Sequence, residues 1–169
     1  MRYDLFESMS IEEASKVLDE FVHRGPEILK AERIQYDTVS LSELPEELLK
    51  IGLRLTTVPV AADPSVPEFV RNTDDYKEGL FEFTEDSKRL IVGAAYMLGN
   101  CFVREFTKLA WGTGNPEYAT GRMPVITGFT SDEELAPLLV ANNLFRRLVK
   151  NRSLTKIFET CVERWSASV

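Results

Sequence analysis

Ile11, Ala14, Val17, Leu18, Phe21 and Val22 recur at three- and four-residue intervals, the period of one face of an α-helix. Ser10-Ile-Glu-Glu13 sets a hydroxyl at the N-cap position and a carboxylate three residues later, the capping-box form, so a helix is predicted to start there. Gly25-Pro26 reads as its end. Pro26 then suits the first turn of a second short helix to about Gln35, where its missing N–H would be unpaired anyway. Tyr36 to Leu41 alternates as a short strand does. Ser42 offers another N-cap, Pro45, Glu46 and Glu47 fit the first turn that follows, and Leu44, Leu48, Ile51 and Leu55 mark that helix's buried stripe.

Between Val58 and Pro67 stand Pro59, Pro64 and Pro67, which forbid regular helix. This stretch, 58–67, reads as a connector between an N-terminal helical subregion, 1–57, and the remainder of a single domain, 1–169. Pro67 to Arg71 allows one helical turn, and Tyr76 to Phe83 a short strand or an aromatic loop. The strongest periodic element follows Thr84 and runs to about Lys108, with Leu90, Ile91, Ala94, Met97, Leu98, Cys101, Phe102 and Phe106 on its apolar face. Gly93 and Gly99 each weaken it by about 1 kcal/mol relative to Ala, so close approach of another element is expected to compensate. Residues 109–129 carry turn signals and a β-branched run, the pattern of a hairpin or short sheet. Helices are expected from about Leu135 to Lys150, with Pro137 in the first turn, and after Ser153, which can cap the last one. The expected fold is α+β and mostly helical: five to six amphipathic helices around a central helix (84–108), with a small antiparallel hairpin or short sheet (109–129).

No apolar run in the 169 residues approaches the roughly 20 that a membrane-spanning helix needs. The first residues also lack the basic, apolar and small-residue segments of a secretory signal, so the expected location is cytoplasmic. In a reducing compartment Cys101 and Cys161, each inside an apolar helical pattern, are expected as buried thiols. The chain holds 20 Lys+Arg and 27 Asp+Glu, a formal net charge of −7. The excess is uneven: residues 1–86 hold 9 basic and 20 acidic side chains, and 87–169 hold 11 and 7. Opposite fields favour packing of the two halves on each other; alternatively, the acidic half meets a cationic partner and steers the encounter. The second alternative places partner-binding residues at Glu12, Glu13, Asp19, Glu20, Asp74, Asp75, Glu85 and Asp86. Nucleic acid is disfavoured by the total charge, against which stands the cluster Arg146, Arg147, Lys150, Arg152 and Lys156.

Catalytic signals are weak. His23 is the single histidine, the two cysteines lie 60 positions apart, and no CxxC, HxxxH or HExxH spacing occurs, so no metal and no cofactor are expected. A spatial pair of His23 with either cysteine has no local support. Gly112-Thr-Gly-Asn-Pro-Glu117 has some glycines of a phosphate loop but not its Gly-Lys-Ser/Thr ending, and turn formation explains them better. Glu105, beside Arg104 at the edge of the apolar face, is expected in a salt bridge or at a helix-edge position. An enzyme or small-ligand protein would place its pocket between the central helix and Trp111–Phe129, with Trp111, Asn115, Tyr118 and Arg122 as loop residues. Homo-oligomer formation is a third alternative.

Ala94-Ala-Tyr-Met-Leu-Gly-Asn-Cys-Phe-Val-Arg104, Leu109-Ala-Trp-Gly-Thr-Gly-Asn-Pro116 and Pro124-Val-Ile-Thr-Gly-Phe129 together resemble a pattern of small uncharacterised bacterial proteins. In these an alanine- and glycine-bearing helix leads into a Trp-containing strand and a Pro-Val strand. The resemblance covers about 40 residues and its motifs are not catalytic. By analogy of size and acidity it extends to proteins of the toxin-immunity type, which neutralise a cognate toxin. The function expected on these grounds is a protein-binding module whose acidic surface occludes a cationic toxin.

Overall fold

The computed structural model describes residue 6 and residues 8–130 and 132–169; the side chain of Asp75 lies outside the description. The described residues form seven helices and two small sheets, a mostly helical α+β fold. In chain order they are α1 (Ile11–Ala31), α2 (Leu44–Arg54), β1 (Thr57–Pro59), α3 (Glu68–Arg71), α4 (Asp74–Glu78), β2 (Phe81–Phe83), α5 (Glu85–Glu105), β3 (Ala110–Thr113), β4 (Pro124–Thr127), α6 (Pro137–Lys150) and α7 (Ile157–Ala167). β1 pairs antiparallel with β2 through Thr57↔Phe83, and β3 with β4 through Trp111↔Ile126.

The capping box forms as its spacing predicts, with Ser10 Oγ accepting from Glu13 N–H and Glu13 accepting from Ser10 N–H. Gly25-Pro26, however, does not end the helix; α1 continues through both to Ala31. Packing explains the difference. α1 lies on α5, and a Cβ at Gly25 would stand 2.3 Å from Tyr96 Cβ. Gly25 is therefore the crossing point of two helices, and the contact outweighs the local cost of an internal proline. Gly93 and Gly99 obey the same rule from the other side. A Cβ on Gly93 would meet Leu29 at 3.1 Å, and one on Gly99 would meet Trp111 at 2.3 Å. The pairs Gly25–Tyr96 and Leu29–Gly93 run in opposite chain directions, so α1 and α5 are antiparallel.

α5 begins at the Thr84 cap and is the most buried element, with Ala94, Ala95, Met97, Leu98 and Phe102 all at or near zero exposure. One apolar cluster joins it to Phe21 and Leu29 of α1, Leu44, Leu48 and Ile51 of α2, Phe145 and Leu148 of α6, and Phe158 and Val162 of α7. Residues of the 1–57 subregion and those after the proline-rich stretch thus contribute to the same core.

Three local expectations are corrected. Ser42 does not cap α2, which starts after Glu43 with no side-chain cap bond, and the Ser42 hydroxyl meets that of Ser40 at 2.9 Å instead. Tyr36 to Leu41 forms no strand, because its carbonyls turn toward α5: Arg104 donates to Tyr36 O at 3.4 Å and also to Asp37 O and Val39 O, and Cys101 Sγ contacts Val39 O at 3.3 Å. Ser153 does not cap α7. Its N–H and hydroxyl both donate to Asn151 Oδ1, at 3.0 and 2.7 Å, and the helix starts only at Ile157.

Candidate functional site

The acidic side chains chosen from the sequence do not share one surface. Because α1 and α5 are antiparallel, Glu12 and Glu13 at the start of α1 lie near the far end of α5 from Glu85 and Asp86. With 21 residues in α5, about 1.5 Å of rise each puts the two groups roughly 30 Å apart along the pair. The α1 group is also answered locally. Glu12 pairs with Lys16 at 2.8 Å and Glu20 with Arg24 at 2.7 Å. Glu13 is held below its ordinary pKa by the N–H and hydroxyl of Ser10, with smaller help from Lys16 and Arg122. Asp19 makes no ion pair among the described residues. At the other end, Glu85 pairs with Lys88 at 2.7 Å, while Asp74 and Asp86 are exposed and make no ion pair among the described residues. Asp75 lies there too, at the second position of α4.

Three arginines of the second half reach the first half through backbone oxygens, whereas Lys88 pairs with the Glu85 carboxylate. Arg146 Nη2 donates to Gly79 O at 3.2 Å and Phe81 O at 3.5 Å, and its guanidinium sits 4.5 Å from the centroid of the Phe81 ring. Arg152 Nη1 donates to Gly52 O at 3.1 Å, and Arg104 clasps the 36–39 segment as described above. A carbonyl offers these guanidiniums a hydrogen bond without cancelling a carboxylate, so the three arginines tie the halves together and leave the acid excess in place. Periodicity carries no trace of this role. An Arg on the polar side of a helix looks the same in sequence whether it meets water or a distant carbonyl.

The expected pocket between the central helix and Trp111–Phe129 is filled. Trp111 stacks on Tyr96 with centroids 6.1 Å apart and meets Phe21 edge-on at 5.5 Å. The other loop candidates lie outside this packing. Asn115 and Tyr118 border a concavity of about 370 Å³ with Thr127, Phe129, Asp132, Glu133 and Glu134. An adjoining one of about 300 Å³ adds Thr120, Arg164 and Trp165. Arg122 lines a third hollow of about 260 Å³ with Pro116, Tyr118 and Gly121, and its backbone is left-handed at φ 62°. Glu134 braces the loop by accepting from Asn115 N–H at 3.0 Å and Thr120 Oγ1 at 3.0 Å.

A larger open groove, about 570 Å³, separates the 33–39 segment from α2. Most of its charged side chains have partners: Lys50 bridges Glu46 and Glu47 at 3.0 and 2.8 Å, Arg54 pairs with Glu32, and Glu43 accepts from Ser40; Arg33 also lines it.

Nucleophile and metal chemistry find little support among the described residues. Burial pushes the Cys101 and Cys161 thiols up to about 11, and both are free. His23 pairs with Glu27 at 3.4 Å on the exposed side of α1. Glu105 is exposed at the last position of α5, the helix-edge alternative, and makes no ion pair among the described residues, while its neighbour Arg104 faces carbonyls. No group of three or more His, Cys, Asp or Glu among the described residues is placed to hold a metal ion. No described helix is long and apolar enough to cross a membrane. Compared with known proteins, the chain matches no family model, no curated protein and no solved structure.

Proposed function

We propose that the chain is a protein-binding module that engages a cationic protein through carboxylates of its first 86 residues, which lie in more than one place on the molecule, in the manner of an immunity protein occluding a basic toxin. The observation that carries this reading is the destination of Arg104, Arg146 and Arg152. They bind carbonyl oxygens of the first half and leave its carboxylates charged. A surface of that kind speeds encounter with an oppositely charged protein and loses this advantage as salt screens it over about 10 Å. The test is purification of the tagged chain with its bound partner at low ionic strength, followed by association rates of the isolated pair across a salt series. A basic partner whose on-rate falls steeply with salt is expected; a salt-insensitive on-rate, or an acidic partner, rejects the reading.

A second reading is a small-ligand protein or enzyme, favoured by the joined concavities around Tyr118, which set aromatic rings beside carboxylates. It predicts ligand-induced stabilisation that Tyr118→Ala removes.

A further inference from the structure

Residues 60–80 leave the body of the protein and return to it at one point. Val60 N–H donates to Leu80 O at 3.0 Å, extending the β1–β2 pair into a closed neck. Within the loop, Asp63 N–H donates to the Tyr76 hydroxyl at 3.0 Å, and α3 and α4 lie against each other. The neck is fixed from outside by Arg146, which binds Gly79 O and Phe81 O. No described side chain of the loop is buried. A long surface loop with joined ends that adds nothing to the core is commonly a functional element.

Its composition indicates what it meets. Phe69 on α3 is 78% exposed, more than any other large apolar side chain described, and Val58 and Val60 at the neck are 47% and 39% exposed. Residues 60–86 hold eight carboxylates and two cations. Glu68, Asp74, Glu78 and Asp86 are exposed without an ion pair among the described residues, and the Ser65 hydroxyl and N–H hold Asp63 below its ordinary pKa. An exposed aromatic ring inside a charged rim is the composition of an interface anchor.

We infer that the loop 60–80 is the docking element of this chain: Phe69 enters an apolar pocket on a basic protein whose Lys and Arg side chains meet Glu68, Asp74 and Glu78. The inference rests on the cationic-partner reading above and places it at one end of the molecule. Charge selects the occupant. A second copy of this chain, at −7, brings the same sign, and so do nucleic acid and an anionic membrane.

Calorimetric titration of the full chain at low ionic strength tests it with two probes. One is poly-lysine, which offers charge alone; the other is an amphipathic helical peptide of leucine and lysine. Phe69→Ser is expected to weaken the leucine–lysine peptide by roughly tenfold or more while leaving poly-lysine unchanged. Phe69→Leu retains peptide binding. Glu68→Gln/Asp74→Asn/Glu78→Gln weakens both probes, whereas Glu12→Gln/Asp19→Asn/Glu20→Gln on α1 changes either by less than about twofold. Thermal melts of all variants are expected to match the parent, since every altered side chain is exposed. If Phe69→Ser binds the peptide as the parent does, or the α1 triple variant loses as much as the loop triple variant, the loop is not the docking element and the cationic-partner reading stands. If the parent binds neither probe, both fall.

Discussion

Gly25→Ala separates two accounts of the same residue. Read as a helix stop or as an ordinary helical position, the change should be harmless or should stabilise α1 by about 1 kcal/mol, the propensity difference between Gly and Ala. The tertiary structure predicts the opposite. The added methyl would stand 2.3 Å from both Tyr96 Cβ and Tyr96 Cγ, at least 1.1 Å inside the 3.4 Å at which ordinary contact begins. Rotation of the Tyr96 ring cannot relieve a clash with Tyr96 Cβ, which is fixed to the α5 backbone. The ring itself is 8% exposed and stacked on Trp111, so the helices must move apart. Separation then loosens the contacts that Gly93 makes with Ile28 and Leu29. Overpacking of this kind costs about 3 kcal/mol at the upper end of its usual range, against a propensity gain of about 1, for a net loss of about 2 kcal/mol. In a chain of this size that lowers Tm by roughly 4–8 °C. Urea unfolding followed by circular dichroism measures it, with Gly112→Ala as the control, because a Cβ there meets nothing nearer than Thr127 Cγ2 at 3.5 Å. A Gly25→Ala protein as stable as the parent, or more so, would refute the helix-crossing account.

Two further outcomes follow from named contacts. Arg104→Met keeps much of the side-chain length but removes the donors that hold Tyr36, Asp37 and Val39 carbonyls, so stability should fall by about 1–3 kcal/mol, and amide exchange should quicken first in residues 32–43. Unchanged exchange there would exclude Arg104 as the clasp of that segment. Cys101 is buried as expected, whereas Cys161 is only half-buried. Thiol alkylation should be slow at neutral pH and rise through the alkaline range, because desolvation holds both thiols protonated below about 11; fast labelling of Cys101 near pH 7 in the folded protein would contradict its burial.

Much of the architecture was legible in the chain itself. The capping box at Ser10, the apolar period of 84–108 and the turn signals of 109–129 are local instructions, written within a few residues, and the structure realises each of them. The glycines of α5 also announced a close neighbour, though not which one. The candidate acidic residues were readable as a list but not as a surface. Charge counts carry no distance, and it took the antiparallel seating of α1 on α5 to part Glu12 and Glu13 from Glu85 and Asp86.

Local chemistry therefore determined where helices begin, which faces are apolar, and how unevenly charge is distributed. Tertiary structure decided the outcomes that depend on residues far apart in the chain. It carried α1 through Gly25-Pro26 because Tyr96 needed the space, and it drew the 36–39 carbonyls out of a strand because Arg104 offered them donors. It also left Phe69 exposed on a loop closed at its neck. Hydrogen bonds and packing across such separations depend on three-dimensional placement, and neither periodicity nor propensity encodes it.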